Sequence, residues 1–193
     1  YKGVCHIYVD AEADLHKATP IIMNSKTQRP GVCNALEGLL VHREVAAALL
    51  PQLADEFEKS GVTMVACPET RALCPAAKPA GDDDWGTEWL ALKLCVKVVG
   101  SAAEAKAYIS RYGSRHTETI ITENYTTAQD FLSTVDASAV MVNASTRFND
   151  GGELGLGTEI GISTTKLHSY GPMGLEELTT RKFIVYGTGQ VRD

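Results

Sequence analysis

Short apolar runs alternate with amphipathic segments along most of the chain. Buried strands are predicted where β-branched and other apolar residues cluster, over residues 4–9, 39–42, 62–65, 92–99, 119–122 and 139–143. Helices are predicted where apolar residues recur three or four positions apart, over 11–25, 34–39, 43–60, 101–112 and onward from 126. Because strands and helices alternate, the pattern favours an α/β fold with a largely parallel sheet flanked by helices.

The last quarter of the chain has a different pattern. Glycines interrupt residues 151–174, and a short helix over 175–178 and a last strand over 182–186 are predicted after them. That strand mixes polar and apolar residues, which suits a sheet edge or a contact between subunits. Gly155-x-Gly157 resembles a dinucleotide-binding turn, but β-branched residues follow it where a helix should start. A loop at the border of a pocket is therefore the favoured interpretation, and residues 68–84, rich in proline, are predicted to be a loose surface stretch.

Composition excludes several classes of protein. The 193 residues carry 18 basic and 24 acidic side chains, a formal net charge of −6. An acidic chain without a basic stripe is a poor candidate for binding nucleic acid or an anionic membrane. The five cysteines, at 5, 33, 67, 74 and 95, form no C-x-x-C pair. This usage is typical of a reducing compartment, so we expect a cytoplasmic protein without a disulfide framework or a metal site.

Cys33 is the first candidate for chemistry. It follows Pro30-Gly31-Val32 and precedes the helix predicted over 34–39. A thiol at a helix N-terminus lies near the positive end of the dipole, which favours the nucleophilic thiolate. The alternative is a small cysteine buried in the core, and spacing alone leaves both open.

A polar loop at residues 143–147 is the second candidate. Asn143 ends a predicted strand, and loops at the carboxyl ends of parallel strands are where α/β folds bind ligands. Ser145, Thr146 and Arg147 supply hydroxyl donors and a planar cation suited to phosphate or carboxylate. An ordinary polar surface loop is the alternative.

Two further residues stand out by their neighbours. His116 links a helix end to a strand, where a histidine more often interacts with the helix C-terminus than acts as an acid or base. Glu88 lies between Trp85 and Trp89. A carboxylate there either binds a ribose or lies at a half-exposed strand start.

Long stretches of the chain resemble one family. They cover residues 3–11, 26–43, 112–124, 142–165 and 168–183, and include TQRPGVCNALEGLLVH, YGSRHTETIITEN and NASTRFNDGGELGLGTEIGIST. In these stretches the chain is similar to the gamma-glutamyl phosphate reductases, also called glutamate-5-semialdehyde dehydrogenases, of the aldehyde dehydrogenase superfamily. The resemblance implies NADPH-dependent reduction of L-glutamyl 5-phosphate to L-glutamate 5-semialdehyde and phosphate, in proline biosynthesis from glutamate.

The resemblance also implies roles for the candidate residues. Cys33 becomes the nucleophile that forms a thioester, and Asn34 shapes the oxyanion site. The pocket for glutamyl phosphate is expected from His116, Asn143, Ser145, Thr146 and Arg147. Glu88 is similar to the superfamily's glutamate that holds the nicotinamide ribose.

The resemblance covers the C-terminal half of the family only. Residues 1–147 then form the catalytic core, and residues 148–193 form the Gly-rich pocket loop, a short helix and a C-terminal oligomerisation strand of an aldehyde-dehydrogenase-like domain. The chain opens at Tyr1 without a methionine, so we expect a fragment whose NADPH-binding domain lies elsewhere. Alone it is expected to bind NADPH weakly and not to turn over. A homo-oligomer is expected, with glutamate 5-kinase as an upstream partner.

Three alternatives are weighed. The chain could come from a bifunctional delta-1-pyrroline-5-carboxylate synthase, which fuses glutamate kinase to the reductase. It could instead be a non-catalytic assembly module, although such a module has no need of an exposed thiolate. An oxidising aldehyde dehydrogenase is disfavoured, because that activity requires a general base for deacylation and none can be assigned here.

Overall fold

A seven-stranded parallel sheet forms the centre of the computed structural model, which describes residues 2–193. The strands are β1 (Cys5–Val9), β2 (Leu36–His42), β3 (Thr63–Ala66), β4 (Lys78–Pro79), β5 (Lys93–Val99), β6 (Thr117–Ile121) and β7 (Ala139–Val142). Across the sheet they run in the order β4-β3-β5-β2-β1-β6-β7. The predicted α/β fold with a largely parallel sheet is confirmed.

Five helices cover the two faces of this sheet. They are α1 (Leu15–Thr27), α2 (Arg43–Lys59), α3 (Pro68–Leu73), α4 (Ala102–Tyr112) and α5 (Tyr125–Thr134). Side chains of Asp14, Ser101 and Asn124 accept hydrogen bonds from backbone N–H groups in the first turns of α1, α4 and α5. Each satisfies a donor that the helix start would leave unpaired, which explains where these three helices begin.

Alternate residues of the central strands pack into two cores. Ile7 and Val9 of β1 join the core beneath α1 and α2, whereas Tyr8 joins the core beneath α4 and α5. This alternation follows from the strand period of two. Because β1 and β2 lie at the centre of the sheet, almost every residue in them is buried, and they are mostly apolar rather than alternating, with His6 and Glu37 as buried exceptions.

The helix predicted over 34–39 is wrong. Residues 30–35 form turns, and β2 begins at Leu36. The mostly apolar run from Ala35 to Val41, which Glu37 interrupts, fits either a buried helix or a buried strand, and pairing with β1 on one side and β5 on the other decides for the strand. The stretch 68–84 is also more ordered than predicted, since it contains α3 and the edge strand β4.

The C-terminal part differs most from expectation. Strands β8 (Gly161–Ser163) and β9 (Gly171–Met173) form a separate antiparallel pair. The helix predicted over 175–178 is a turn, and residues 182–186 form no strand. Phe183 and Tyr186 are more than nine-tenths exposed. A strand needs a paired neighbour, and this segment meets none within the described chain, so its role between subunits stays a prediction.

No helix in the part of the chain from residue 2 onward is long and apolar enough to cross a bilayer.

Candidate active site

Four segments that precede parallel strands meet at the amino-terminal edge of the sheet. Gly3 precedes β1, Cys33 precedes β2, Glu88 precedes β5 and His116 precedes β6. Together they line a cleft of about 340 Å³, which we call the cysteine cleft. Lys2, Ile162, Ser163, Thr164, Thr165 and Met173 complete its lining. The 143–147 loop was expected to bind ligand at the carboxyl ends of the strands, whereas Cys33 lies at the amino-terminal edge.

Cys33 lies half-buried in the turn before β2. Its carbonyl oxygen accepts a hydrogen bond from Cys5 Sγ at 3.1 Å. The backbone of Gly3 passes so close that a side chain at that position would collide with the Cys33 carbonyl. Glycine is required there because only a missing Cβ permits this approach. The nucleophile candidate is therefore fixed in position by the start of β1.

The thiol of Cys33 is not activated in this chain. Burial raises its pKa, the carboxylates of Glu159 and Glu88 raise it further, and the Arg147 cation opposes them. The sequence predicted the reverse, from a helix dipole at Cys33. Because no helix starts there, the dipole is missing and the neighbouring negative charges disfavour the thiolate. At neutral pH Cys33 is therefore held as a thiol.

Replacing Glu88 with glutamine is expected to speed alkylation of Cys33. The Glu88 carboxylate accepts a hydrogen bond from Gly3 N at 2.8 Å, and glutamine can keep that bond without the charge. Loss of the charge lowers the Cys33 pKa, so iodoacetamide at pH 7 should react about threefold faster. Peptide mapping by mass spectrometry gives the rate at Cys33, and Glu58→Gln on the exposed face of α2 is the control. An unchanged rate in E88Q would mean that this carboxylate does not act on the sulfur.

His116 is a neutral imidazole at the wall of the cleft. Its side chain is 2% exposed, and burial lowers its pKa to about 4. Thr117 Oγ1 lies 2.7 Å from His116 Nδ1 and accepts a hydrogen bond from Asn149 Nδ2 at 2.9 Å. Either Nδ1 or the threonine hydroxyl can carry the hydrogen of the contact between them. Among residues 2–193, Nε2 is buried and has no hydrogen-bond partner.

The hydroxyls of the 143–147 loop form hydrogen bonds to other groups of the protein. Thr146 Oγ1 donates to the Asn34 carbonyl at 2.7 Å, and Ser145 Oγ lies 2.9 Å from Ser25 Oγ. Asn34 Nδ2 donates to the Asn149 carbonyl at 3.0 Å. All these side chains are buried, so they hold the loop against the Cys33 turn. The structure does not bring Asn34, Ser145 or Thr146 into the lining of the cysteine cleft.

Asn143 lies at the opposite edge of the sheet, directly after β7. Its side chain accepts from Thr122 N at 3.0 Å and donates to the Thr122 carbonyl at 2.9 Å. Its backbone has a φ of 52°, a left-handed conformation that asparagine tolerates better than most residues. These contacts join the ends of β6 and β7, and they give Asn143 a structural explanation. Of the five residues expected to bind substrate, His116 alone lines the cysteine cleft, and Arg147 lines a second cavity.

A buried ion pair joins α1 to β2, the strand that follows Cys33, and it was not predicted from the sequence. Lys26 Nζ of α1 lies 2.9 Å from Glu37 Oε2 of β2, and both side chains are fully buried. Glu37 Oε1 also accepts from Leu90 N at 3.1 Å. Leu90 has a φ of 51°, and this bond helps to hold that strained turn two residues after Glu88. The pair thus ties together the end of α1, the strand that follows Cys33 and the segment that carries Glu88.

Some cleft residues carried only a weak signal in the sequence. The Gly-rich run was interpreted as a pocket loop, and its continuation into residues 162–165 does line the cleft. Met173 comes from β9, and nothing in its local pattern indicated a site. Among the residues that the structure describes, no group of three or more His, Cys, Asp or Glu side chains is arranged to hold a metal ion.

The chain is similar to known proteins over its whole length. No protein-family model matches it. A gamma-glutamyl phosphate reductase from Desulfotalea psychrophila is 65% identical over 192 residues, which are 100% of this chain and 46% of that protein. One from Moorella thermoacetica is 58% identical over 190 residues, 98% of this chain and 46% of its own length. The chain therefore spans about half the length of the curated relatives it matches.

Solved structures agree with the sequence comparison. A gamma-glutamyl phosphate reductase from Thermotoga maritima superposes with a TM-score of 0.94 at 53% identity, over 100% of this chain and 47% of that one. An acetylating aldehyde dehydrogenase from Geobacillus thermoglucosidasius has a TM-score of 0.71 at 17% identity, over 100% of this chain and 52% of its own, which shows a shared fold. The chain has the aldehyde dehydrogenase fold and is similar, over its whole length, to about half the length of the gamma-glutamyl phosphate reductases it matches.

Proposed function

We propose that the chain is the catalytic part of an enzyme that reduces L-glutamyl 5-phosphate to L-glutamate 5-semialdehyde and phosphate, a step of proline biosynthesis in the cytoplasm. The observation that carries this proposal is the cysteine cleft, where a thiol, a carboxylate and a neutral imidazole donor line one space. Each corresponds to a need of the reaction: a nucleophile, a contact for the cofactor and a donor for the carbonyl oxygen.

The chemistry proceeds through Cys33. Its thiolate attacks the acyl carbon, the bond to phosphate breaks, and a glutamyl thioester remains on the sulfur. His116 Nε2–H donates a hydrogen bond to the carbonyl oxygen as negative charge develops there. His116 keeps one protonation state through the reaction at neutral pH, because burial has lowered its pKa to about 4. It acts as a fixed dipole and not as a base.

NADPH fits this site through Glu88. The Glu88 carboxylate lines the same cleft as Cys33 and holds only Gly3 N among its described partners, so it can accept hydrogen bonds from a ribose. When bound, the cofactor supplies the hydride that reduces the thioester. The rest of the cofactor site lies, in this proposal, in a domain outside the chain. Because Cys33 is held as a thiol here, that complete site must also favour the thiolate, by positive charge or by donors near the sulfur.

The exposed C-terminal segment suits a homo-oligomer. Residues 183–186 are Phe, Ile, Val and Tyr, and each is more than three-fifths exposed in the single chain. Apolar residues in an unpaired extended segment are suited to pairing with another subunit. Glutamate 5-kinase is the proposed upstream partner, because an acyl phosphate is reactive and benefits from direct delivery.

Transfer of a glutamyl group to Cys33 tests the proposal. The chain is incubated with L-glutamyl 5-phosphate, made in situ from L-glutamate and ATP by glutamate 5-kinase, and quenched rapidly in acid. Intact mass spectrometry should show the addition of one glutamyl group, and peptide mapping should place it on Cys33. Cys33→Ala should show no addition. The incubation is repeated at pH 9, where a larger fraction of Cys33 is thiolate. A non-catalytic assembly module predicts no transfer to the unaltered chain even there, and that result would reject the enzyme proposal.

A further inference from the structure

A second cavity lies between α1 and the loop after β7, and that loop contacts Asn34, the residue after the nucleophile. Its volume is about 200 Å³, and it is lined by Asn24, Gln28, Arg147, Phe148, Asp150 and Glu153. We call it the arginine cavity. The end of α1 contributes two amide side chains, and the loop after β7 contributes the charged groups. None of the three charged residues forms an ion pair with any residue in the 2–193 range.

The arginine cavity is connected to Cys33 through one residue. Asn34, the next residue in the chain, donates from Nδ2 to the Arg147 carbonyl at 3.4 Å. The Arg147 guanidinium also acts on the sulfur, since its charge counters the rise in the Cys33 pKa. Cys33 thus lines one space together with Glu88 and is connected through Asn34 to the residue that lines the other.

Arg147 is held ready for an anionic ligand. Its Nε donates to Gln28 Oε1 at 2.8 Å, which fixes the plane of the guanidinium. No other side-chain hydrogen bond from Arg147 is formed within the described chain, so its Nη groups keep their donors for a ligand. A guanidinium presents two parallel donors that match the two oxygens of a carboxylate.

The cavity also holds negative charge. Asp150 Oδ1 accepts from Gly152 N at 2.9 Å and from Glu153 N at 3.3 Å, which orients the aspartate at the cavity wall. With Glu153 beside it, the cavity carries one cation and two carboxylates. A phosphate dianion would be repelled by those carboxylates, whereas a ligand with a carboxylate and an ammonium group meets an opposite charge at each end.

We propose that the arginine cavity binds the α-amino-carboxylate end of the acyl substrate, with Arg147 contacting the carboxylate and Asp150 and Glu153 contacting the ammonium group. This inference rests on the proposed function and adds the basis of its substrate specificity.

Selective alkylation of Cys33 tests the inference without any reduction step. The probe is L-2-amino-5-chloro-4-oxopentanoate, whose reactive carbon takes the position of the glutamyl acyl carbon. The Cys33 sulfur forms a bond to that carbon, chloride leaves, and the thiol proton goes to solvent. Chloroacetone undergoes the same displacement but lacks the amino-acid end. The ratio of the two rates at Cys33 cancels changes in the thiolate fraction, because both reagents need the same thiolate.

We expect the unaltered chain to react about tenfold faster with the amino-acid probe than with chloroacetone, as one charge-assisted contact can provide. Arg147→Gln should bring the ratio close to one, and Asp150→Asn should lower it in part. Arg29→Gln, an exposed arginine near the cavity but outside its lining, should keep the full ratio. Circular dichroism checks that each variant is folded. If R147Q is not folded, the ratio in D150N tests the arginine cavity instead.

The outcomes separate the inference from the proposed function. A ratio near one in the unaltered chain, or one that persists in both R147Q and D150N, overturns the arginine cavity while Cys33 still reacts. If neither reagent modifies Cys33, the nucleophile itself is wrong, and the inference falls with the function on which it rests.

Discussion

Replacing Lys26 with methionine is expected to lower the free energy of unfolding by about 3–5 kcal/mol at pH 7. The Lys26–Glu37 pair is fully buried, and its 2.9 Å contact compensates for the lost hydration of both charges. Burial lowers the Lys26 pKa and raises the Glu37 pKa, which is the direction expected when solvation is lost. Methionine fills a similar volume, so the effect comes from leaving the Glu37 carboxylate without its cation.

Urea unfolding followed by circular dichroism measures this loss. Lys59→Met is the matched control, because Lys59 pairs with Glu56 on an exposed helix surface, where such pairs contribute about 0–1 kcal/mol. The double variant Lys26→Met/Glu37→Leu removes both charges, and we expect it to be more stable than Lys26→Met alone. Equal effects of Lys26→Met and Lys59→Met would mean that water reaches the buried pair.

His116 is expected to make the chain lose about 3 kcal/mol of stability between pH 6.5 and pH 4. Its pKa is about 4 in the folded chain, against the ordinary value of 6.5 after unfolding. As the pH falls through this window, the unfolded chain binds a proton that the folded chain excludes, so unfolding becomes more favourable. The loss begins near pH 6.5 and levels off below pH 4. Each unit of difference between the folded and unfolded pKa values corresponds to about 1.4 kcal/mol.

His116→Asn isolates this contribution. The free energy of unfolding is measured from pH 7.5 to pH 4.5 for the unaltered chain and the variant. Across that range the variant should lose about 2–3 kcal/mol less stability than the unaltered chain, whatever its stability at pH 7.5. His16→Asn on the exposed face of α1 should follow the unaltered chain. Parallel curves for H116N and the unaltered chain would show that folding does not change the pKa of His116.

The alternation of apolar segments was enough to predict most strands and helices. The segments around β1, α2, β5 and α4 agree with the structure because each has a single dominant period and a clear boundary. The prediction for the segment after Cys33 was wrong because the mostly apolar run after Asn34 suits both a helix and a strand. Long-range pairing with β1 and β5 decided between them. That error also reversed the expected direction of the Cys33 pKa.

The site was only partly predictable for a related reason. Cys33, Glu88 and His116 were singled out by local context, and the fold brings all three to one cleft. Asn143 and Ser145 also looked like ligand contacts, because an unpaired polar residue and one that holds a loop have the same appearance in a sequence. Only the partners in space, Thr122 and Ser25, distinguish the two. The Lys26–Glu37 ion pair could not be predicted, because it produces no periodic pattern in the sequence.

The position of β1 has a consequence for how the chain folds. β1 lies between β2 and β6, and His6 of β1 pairs with Glu118 of β6, 112 residues further along. The sheet therefore cannot be completed in the order in which its strands follow along the chain. The first strand stays unpaired on one side until the sixth is in place, and closing such long loops slows folding. During synthesis, β1 cannot pair on both sides until β6, which begins at Thr117, has left the ribosome. More than half of this chain must therefore be made before the strand next to Cys33 is in its final place.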